Sequence, residues 1–312
     1  MVDTKLNAEI VTKKKRKSMF DEMNHGILCS ADMKNRKNKV FYWLIVSVLI
    51  VYCLIVFVPC IWLMLSGFKD ASELYAKPSS FFPKKFEITK FTEAFKELRF
   101  YKYYWNTFMM AAVAVIFDIV FNGMAGYVLS RLKPKGSKLI MGIVFVLMML
   151  PANMSTVPLY MTFRDFPYLH INMLESYWPI WFMAGANTFN ILLFKSSFDG
   201  ISNSLVEAAK IDGASNFRIF LQIMVPLSLP VIMTVAIFTF NGQFGNFFWP
   251  YLLISDNAKA VLGIKIYQLK SSNLTMDYQM LCILFSILPQ LIIYVFLQKY
   301  IIGGINVGGV KG

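Results

Sequence analysis

Few residues in this chain are of types that do covalent or metal chemistry, and none is spaced for it. The two histidines are His25, in a polar amino-terminal stretch, and His170, between two apolar runs. No HExxH occurs, no serine has a placed histidine base, and no GxxxxGK[ST] loop is present to cradle a nucleotide phosphate. Cys29, Cys53, Cys60 and Cys282 lack CxxC spacing, and the last three fall within apolar runs, where a free thiol behaves as a small hydrophobe. All four read as structural. What remains is hydrogen-bonding chemistry set in apolar sequence: Asp118, Asn122, Asn153, Asn187, Asn190 and Asn241, with Tyr177, Trp178 and Trp181 close by. An ionisable group at the middle of a bilayer costs about 2.5–3.5 kcal/mol on insertion scales, so these polar groups must face protein or water.

The elements that carry them are membrane spans. In 312 residues, 57% are apolar, and the mean hydropathy is +0.53; that composition points to a bilayer as the solvent. Phe41 to Leu65, Trp105 to Leu129, Leu139 to Phe163 and Tyr278 to Ile302 each reach the ~20 residues needed to cross ~30 Å of hydrocarbon. Leu174 to Phe194 and Ile219 to Phe240 are interrupted by Pro179, Pro226 and Pro230, which spans tolerate when neighbours satisfy the freed backbone. The reading is therefore all-α, with six transmembrane helices. Some forty polar residues precede the first span with no small-residue cleavage pattern after it, so a retained anchor is expected rather than a signal peptide.

Net charge is +13, and the basic residues lie beside the spans, where the positive-inside rule accounts for them without nucleic acid. Ten Lys or Arg fall in the first 39 residues, including Lys13 to Lys17, which can meet anionic headgroups. Arg131, Lys133, Lys135 and Lys138 fill the loop between spans two and three without an acid, whereas the loop after span one mixes both signs. Both termini are thus expected in the cytosol. Residues 1–39 form a basic tail and 40–312 one packed bundle, with an external loop at 66–104 and a cytosolic loop at 196–226. In the external loop, Ile88 to Arg99 can form an amphipathic helix through Phe91, Phe95 and Leu98.

The cytosolic loop contains Leu205-Val206-Glu207-Ala208-Ala209-Lys210-Ile211-Asp212-Gly213-Ala214-Ser215, then Val225-Pro226 and Leu229-Pro230. It reads as a helix, a glycine break and a second helix. Leu205, Ala208 and Ala209 share one face, Asp212-Gly213 offers a left-handed cap, and Ser215 can cap the second helix. Small alanines beside Glu207, Lys210, Asp212 and Arg218 suit a close protein interface; an ordinary amphipathic connector fits the same pattern.

This stretch resembles the signature loop of permease subunits of bacterial binding-protein-dependent ABC importers, in Glu207-Ala208-Ala209, Gly213 and Val225-Pro226. The chain from about residue 40 is similar to the carbohydrate branch, and to the shorter maltose-type permease subunit, in Ser66 to Lys69, Asn106-Thr107-Phe108, Ala125 to Arg131, Pro151, Val157 to Tyr160 and Gly308 to Gly312. It departs from the family at Ser202, where proline is common, and at Phe244 to Phe247, where a Trp-Asn pair is usual. The resemblance implies the type I ABC importer permease fold and passage of a sugar or oligosaccharide by alternating access. Glu207, Ala208, Ala209, Asp212 and Gly213 would couple to an ATPase. Implied partners are a second permease, two cytosolic ATPase subunits that hold ATP and Mg, an extracytoplasmic sugar-binding protein, the carbohydrate and membrane lipid. A heterodimer of permeases is expected before a homodimer. This chain itself would bind no cofactor and be no enzyme. A sugar path needs amides and aromatic faces, making Asp118, Asn122, Tyr177, Trp178, Trp181, Asn187, Asn190 and Asn241 candidates beside the plainer roles of interhelical fastening and interface anchoring. A secondary carrier without an ATPase is the alternative, with Asp118 as its lone ion-site candidate.

Overall fold

A computed structural model describes residues 36–77, 80–86, 88–270 and 274–308. The basic run 13–17, His25, Cys29, Pro78, Glu87 and residues 309–312 lie outside the described residues. The chain divides into two units, one ending at Met64 and one beginning at Leu65. The first holds most of α1 (Arg36–Ser66), an apolar helix whose side chains are largely exposed.

The second unit is a helical bundle built on α4 (Phe100–Leu132), α11 (Leu229–Phe244) and α14 (Met276–Gly308). Before α4 come α2 (Ala71–Tyr75) and α3 (Thr89–Glu97). The α3 helix is the amphipathic one expected at 88–99, and Phe91, Phe95 and Leu98 turn inward on the core. Its Lys90 is buried, paired with Asp277 and donating to the carbonyl of Lys69 at 3.0 Å.

Among the described residues, α1, α4 and α14 are long and apolar enough to span a bilayer unbroken, and two bent helix pairs reach that length and hydropathy only when each pair is taken as one span, which gives at most five rather than the six expected from hydropathy. The first pair, α5 (Ser137–Met149) and α6 (Asn153–Arg164), turns by 94°. Leu150 is extended there (φ −76°, ψ 132°), because the residue before a proline, here Pro151, is pushed out of the helical region. The second pair, α10 (Asn216–Leu227) and α11, turns by 81° at Ser228. Pro230 lacks the N–H that would continue the ladder and sits in the first turn of α11, where none is needed. The stretch Leu174 to Phe194, counted as one span from hydropathy, instead forms two short helices, α7 (Trp178–Gly185) and α8 (Thr188–Asp199). Asn187 is extended (φ −88°, ψ 107°) and caps α8 by accepting from the Asn190 N–H at 3.2 Å. A cap inside an apolar run is a signal that hydropathy does not weigh.

The bundle has two apolar cores in register along the same helices. One gathers Phe100, Tyr103 and Met110 of α4, Ile180 of α7, Phe244 of α11 and Leu281 of α14, with Leu262 and Ile264 of α13 (Leu262–Lys270). The other gathers Tyr127 of α4, Phe194 and Phe198 of α8, Ile219, Phe220 and Met224 of α10, and Val231, Ile232 and Val235 of α11. The second core requires α4 and α8 to cross closely at Gly126. A Cβ there would lie 2.7 Å from the Phe194 Cβ, 2.9 Å from the Lys195 nitrogen and 3.1 Å from the Ile191 oxygen.

Backbone atoms cannot step aside, so Gly126→Ala is expected to destabilise the chain by about 1–3 kcal/mol, the usual cost of overpacking. Gly142→Ala, which would place its Cβ in open space, should not. Thermal unfolding of the detergent-solubilised protein compares the two.

Candidate functional site

Two constellations stand out in the second unit. The first lies between the two apolar cores. Asp118 and Asn122 sit on a π-helical turn of α4, and both are buried. The Asp118 carboxylate accepts from Asn122 Nδ2 at 2.6 Å, from Asn190 Nδ2 at 2.7 Å and from the Thr239 hydroxyl of α11. Asn122 also donates to the Ala184 carbonyl at 2.9 Å and accepts from the Asn187 N–H at 3.1 Å. The groups exposed by the break between α7 and α8 are therefore satisfied by one asparagine on α4. Four of the residues singled out by sequence, Asp118, Asn122, Asn187 and Asn190, belong to a single network, and their bonds in this conformation go to one another, to Thr239 and to the Ala184 carbonyl. Thr239 escapes a reading of the sequence, since a threonine in an apolar run carries no signal of its partner.

The other candidates are placed elsewhere. Tyr177 donates to the Lys259 carbonyl at 2.6 Å, fastening the loop between α12 (Phe248–Leu253) and α13. That loop is held from several sides. Glu175 accepts from the backbone N–H groups of Ser255 and Asp256 at 2.9–3.0 Å, and Asn106 donates to the carbonyls of Ala258 and Ala260 at 3.0 and 2.9 Å. The N–H of Asp256 leads the effects that hold the Glu175 carboxyl below its usual range, against a smaller opposing push from burial. Trp178 and Trp181 form an edge-to-face pair at 5.1 Å beside Phe117 and Phe182. Trp181 is fixed by donating to the Met110 carbonyl at 3.1 Å, whereas Trp178 is half exposed. Asn241 has an amide oxygen that is buried with no hydrogen-bond partner among the described residues. Asn153 is exposed at the bend between α5 and α6. His170 Nδ1 lies 2.9 Å from Asp165 Oδ1 on the surface.

The second constellation is the hairpin of α9 (Asn203–Ile211) and α10. Ser202 caps α9 by accepting from the Ser204 N–H at 3.3 Å, and Ser215 caps α10 by accepting from the Arg218 N–H at 3.2 Å. Gly213 takes the left-handed conformation, φ +76°, that an αL helix ending requires. The faces divide differently from expectation. Val206 and Ala209 turn into the second core, while Leu205, Glu207, Ala208, Lys210, Ile211 and Asp212 are exposed. Spacing of i, i+3 pairs Ala209 with the buried Val206, so only one of the two alanines lies on the open face. Ile211 at the end of α9 is 87% exposed and Phe217 at the start of α10 63%.

Residues 122–307 match the family described as binding-protein-dependent transport system inner membrane component. The chain belongs to that family. It is accordingly a multi-pass membrane component of an importer, and ATP hydrolysis in this family is the task of a separate subunit. The diacetylchitobiose uptake system permease protein NgcG of Streptomyces coelicolor is 30% identical over 84% of this chain and 86% of its own length. The arabinooligosaccharides transport system permease protein AraQ of Halalkalibacterium halodurans is 26% identical over 90% of this chain and all of its own. The maltose/maltodextrin permease protein MalG of Vibrio vulnificus is 30% identical over 67% of this chain and 71% of its own. Among solved structures, a bacterial ABC transporter chain involved in import of the acidic polysaccharide alginate aligns with a TM-score of 0.75 at 22% identity, over 85% of this chain and 98% of that one. That likeness shows the type I importer permease fold.

The network predicts an order of costs. Asp118→Ala leaves three donors without their acceptor and should destabilise the importer component by several times the ~0.6 kcal/mol typical of one interhelical hydrogen bond in a bilayer. Thr239→Val, which removes one donor, should cost about that single-bond amount. Unfolding of the two single variants and the double variant, arranged as a cycle, measures the coupling; additive losses would show that the carboxylate and hydroxyl do not interact.

Proposed function

We propose that this chain is the permease subunit of an ATP-driven importer of a sugar or oligosaccharide, driven through the α9–α10 hairpin. The observation that carries this reading is a helix whose inner face is locked into the bundle while its outer face, Leu205, Glu207, Ala208, Ile211 and Asp212, lies bare. Glu207, Ala208, Asp212 and Gly213 are the coupling contacts on that face, and Ala209 supports it from within. The small Ala208 lets a partner helix or cleft approach closely, and the mixed charges around it set register. The carbohydrate class is supported by relatives whose names specify diacetylchitobiose, arabinooligosaccharides and maltodextrin.

The distribution of Lys and Arg supports a cytosolic position for α9 and both termini. The surface that α9 presents is then met by a cytosolic ATPase, which holds ATP and Mg. Two such ATPases, a second permease and an external binding protein complete the assembly; a solved alginate transporter of similar fold is described in complex with its periplasmic protein. Residues 1–39 form the cytosolic tail, and the permease domain runs from residue 40. Along the substrate path, Trp178 keeps a ring face available, whereas Asp118, Asn122, Asn187 and Asn190 reach a sugar only when their network opens, and the buried amide oxygen of Asn241 only when its surroundings open. Tyr177 and Trp181 support the path by holding the loop and the aromatic cluster. The carrier alternative is weakened by Asp118, whose carboxylate is already occupied by three donors.

A tagged chain purified from native membrane should bring down the ATPase. In Ala208→Arg, insertion should be unchanged while the ATPase and uptake are lost, because an uncompensated buried charge costs roughly 3–5 kcal/mol. Gly213→Glu, with open space around its Cβ, should insert and yet fail to transport. Full uptake by both variants, or a wild-type chain that never associates with an ATPase, would reopen the carrier reading.

A further inference from the structure

The hairpin is not attached to the bundle by its own packing alone. The last turn of α4, a π-helical turn over Val128–Leu132, closes on the junction between α8 and α9. The Arg131 guanidinium donates through Nη2 to the carbonyls of Phe198 and Ile201, and through Nη1 to Oδ1 of Asn203. Next to it, the Ser130 hydroxyl donates to Asp199 Oδ1 at 2.6 Å, and Lys195 Nζ reaches the other carboxylate oxygen at 2.5 Å. Burial pushes the Asp199 carboxyl up, but the bonds from Lys195 and Ser130 outweigh it and hold the group below its usual range. One cation thus ties the end of α8, the intervening turn and the first residue of α9 to a single point on α4.

The geometry uses both Nη groups of the arginine fork, while its buried Nε has no hydrogen-bond partner among the described residues. The planar fork of an arginine presents five N–H donors in fixed directions, while a lysine offers one nitrogen on a flexible stem. A cation against the final carbonyls of α8 is also favoured by the helix dipole. Two further contacts make α4 stiff at this point. Gly126 lets α4 and α8 touch, and the Tyr127 ring packs between Phe198 and Phe220, with centroids at 6.3 and 5.3 Å. Higher on the same helix lie Asp118 and Asn122, whose bonds reach α8 and α11. A push on α9 therefore has a continuous path into the buried network: Asn203 and Ile201, Arg131, α4, then Asp118.

We infer that Arg131 is the positioning residue that transmits displacement of the α9 hairpin into α4. The inference rests on the proposed reading that α9 engages an ATPase. Without the guanidinium, α9 remains held through Val206 and Ala209 but can rock about residues 200–202 without moving α4. The consequence is loss of coupling rather than loss of assembly.

The test uses the assembled transporter in proteoliposomes with its binding protein, reading uptake and ATP hydrolysis on the same preparation. Arg131→Gln should co-purify with the ATPase and keep basal hydrolysis. Its stimulation by loaded binding protein and its uptake per ATP should fall by about tenfold, within the usual span of coupling between sites. Arg131→Lys, with its charge but not its fork, should fall between the two. A wild-type ratio of uptake to hydrolysis in Arg131→Gln overturns the inference. If that variant fails to assemble, the ratio is read on Arg131→Lys, where a wild-type value overturns it and a reduced one supports it. Failure of the ATPase reading itself is separate, because it appears as a wild-type chain with no ATPase bound.

Discussion

A carboxylate buried in an apolar bundle has to be given donors, and the arrangement around Asp118 follows from that requirement. Three donors come from three directions: Asn122 one turn along α4, Asn190 from α8 and Thr239 from α11. Each helix is thereby fixed in rotation at one level, because turning any of them would withdraw a donor from a site that water does not reach. Helices in a bilayer lack the hydrophobic drive that orients helices in water, so packing and polar contacts must set their register. In this chain one carboxylate does so for three helices at once. It also explains how the break between α7 and α8 is tolerated. Asn122 supplies the donor and the acceptor that the backbone at Ala184 and Asn187 would otherwise lack.

On either side of that level the chain is apolar, and the two cores differ in what they support. One packs beneath the loop between α12 and α13, which Glu175, Tyr177 and Asn106 hold by its backbone groups. The other packs beneath α9, which Arg131 holds at its entry and Ser202 caps. Both ends of the bundle thus present loops fixed in part by side chains from distant points of the chain, beside their own local contacts. On the proposed reading, one end meets a binding protein and the other an ATPase, and the polar level between them connects the two through α4.

Much of this is legible in the residues. The three unbroken spans follow from hydropathy, whereas the full count of six does not, since Leu174 to Phe194 forms two short helices; both sharp bends follow from proline, at Pro151 through its effect on Leu150 and at Pro230 through its missing N–H. The left-handed Gly213 and the cap at Ser215 are readable from local chemistry, because each concerns atoms within a few residues. The break at Asn187 is not, since an asparagine in an apolar run can fasten helices or cap one, and its choice depends on Asn122, some sixty residues earlier. Arg131 reads in sequence as a topological charge for the same reason. Its acceptors are carbonyls of Phe198 and Ile201, and a carbonyl has no identity in a sequence. Ala209 falls on the open face in sequence because three apolar positions at i, i+3 and i+4 make a stripe wide enough to face either way; Val206, lying between them, decides which edge is buried.

On the proposed reading, a cytosolic partner covers the exposed side of α9. Leu205, Ile211 and Phe217 leave apolar surface open at a point where the chain has capped both helices and buried their inner faces. A helix this short would not hold its shape alone, since isolated helices below ~12–15 residues are marginal in water. The bundle therefore stabilises α9 in advance, through Val206 and Ala209 packing into the core and through the bonds at its entry. Ordering a surface before its partner arrives reduces the entropy lost on association. On the proposed reading α9 must transmit force, and this support then serves that role, because displacement applied to a loose segment is lost within that segment.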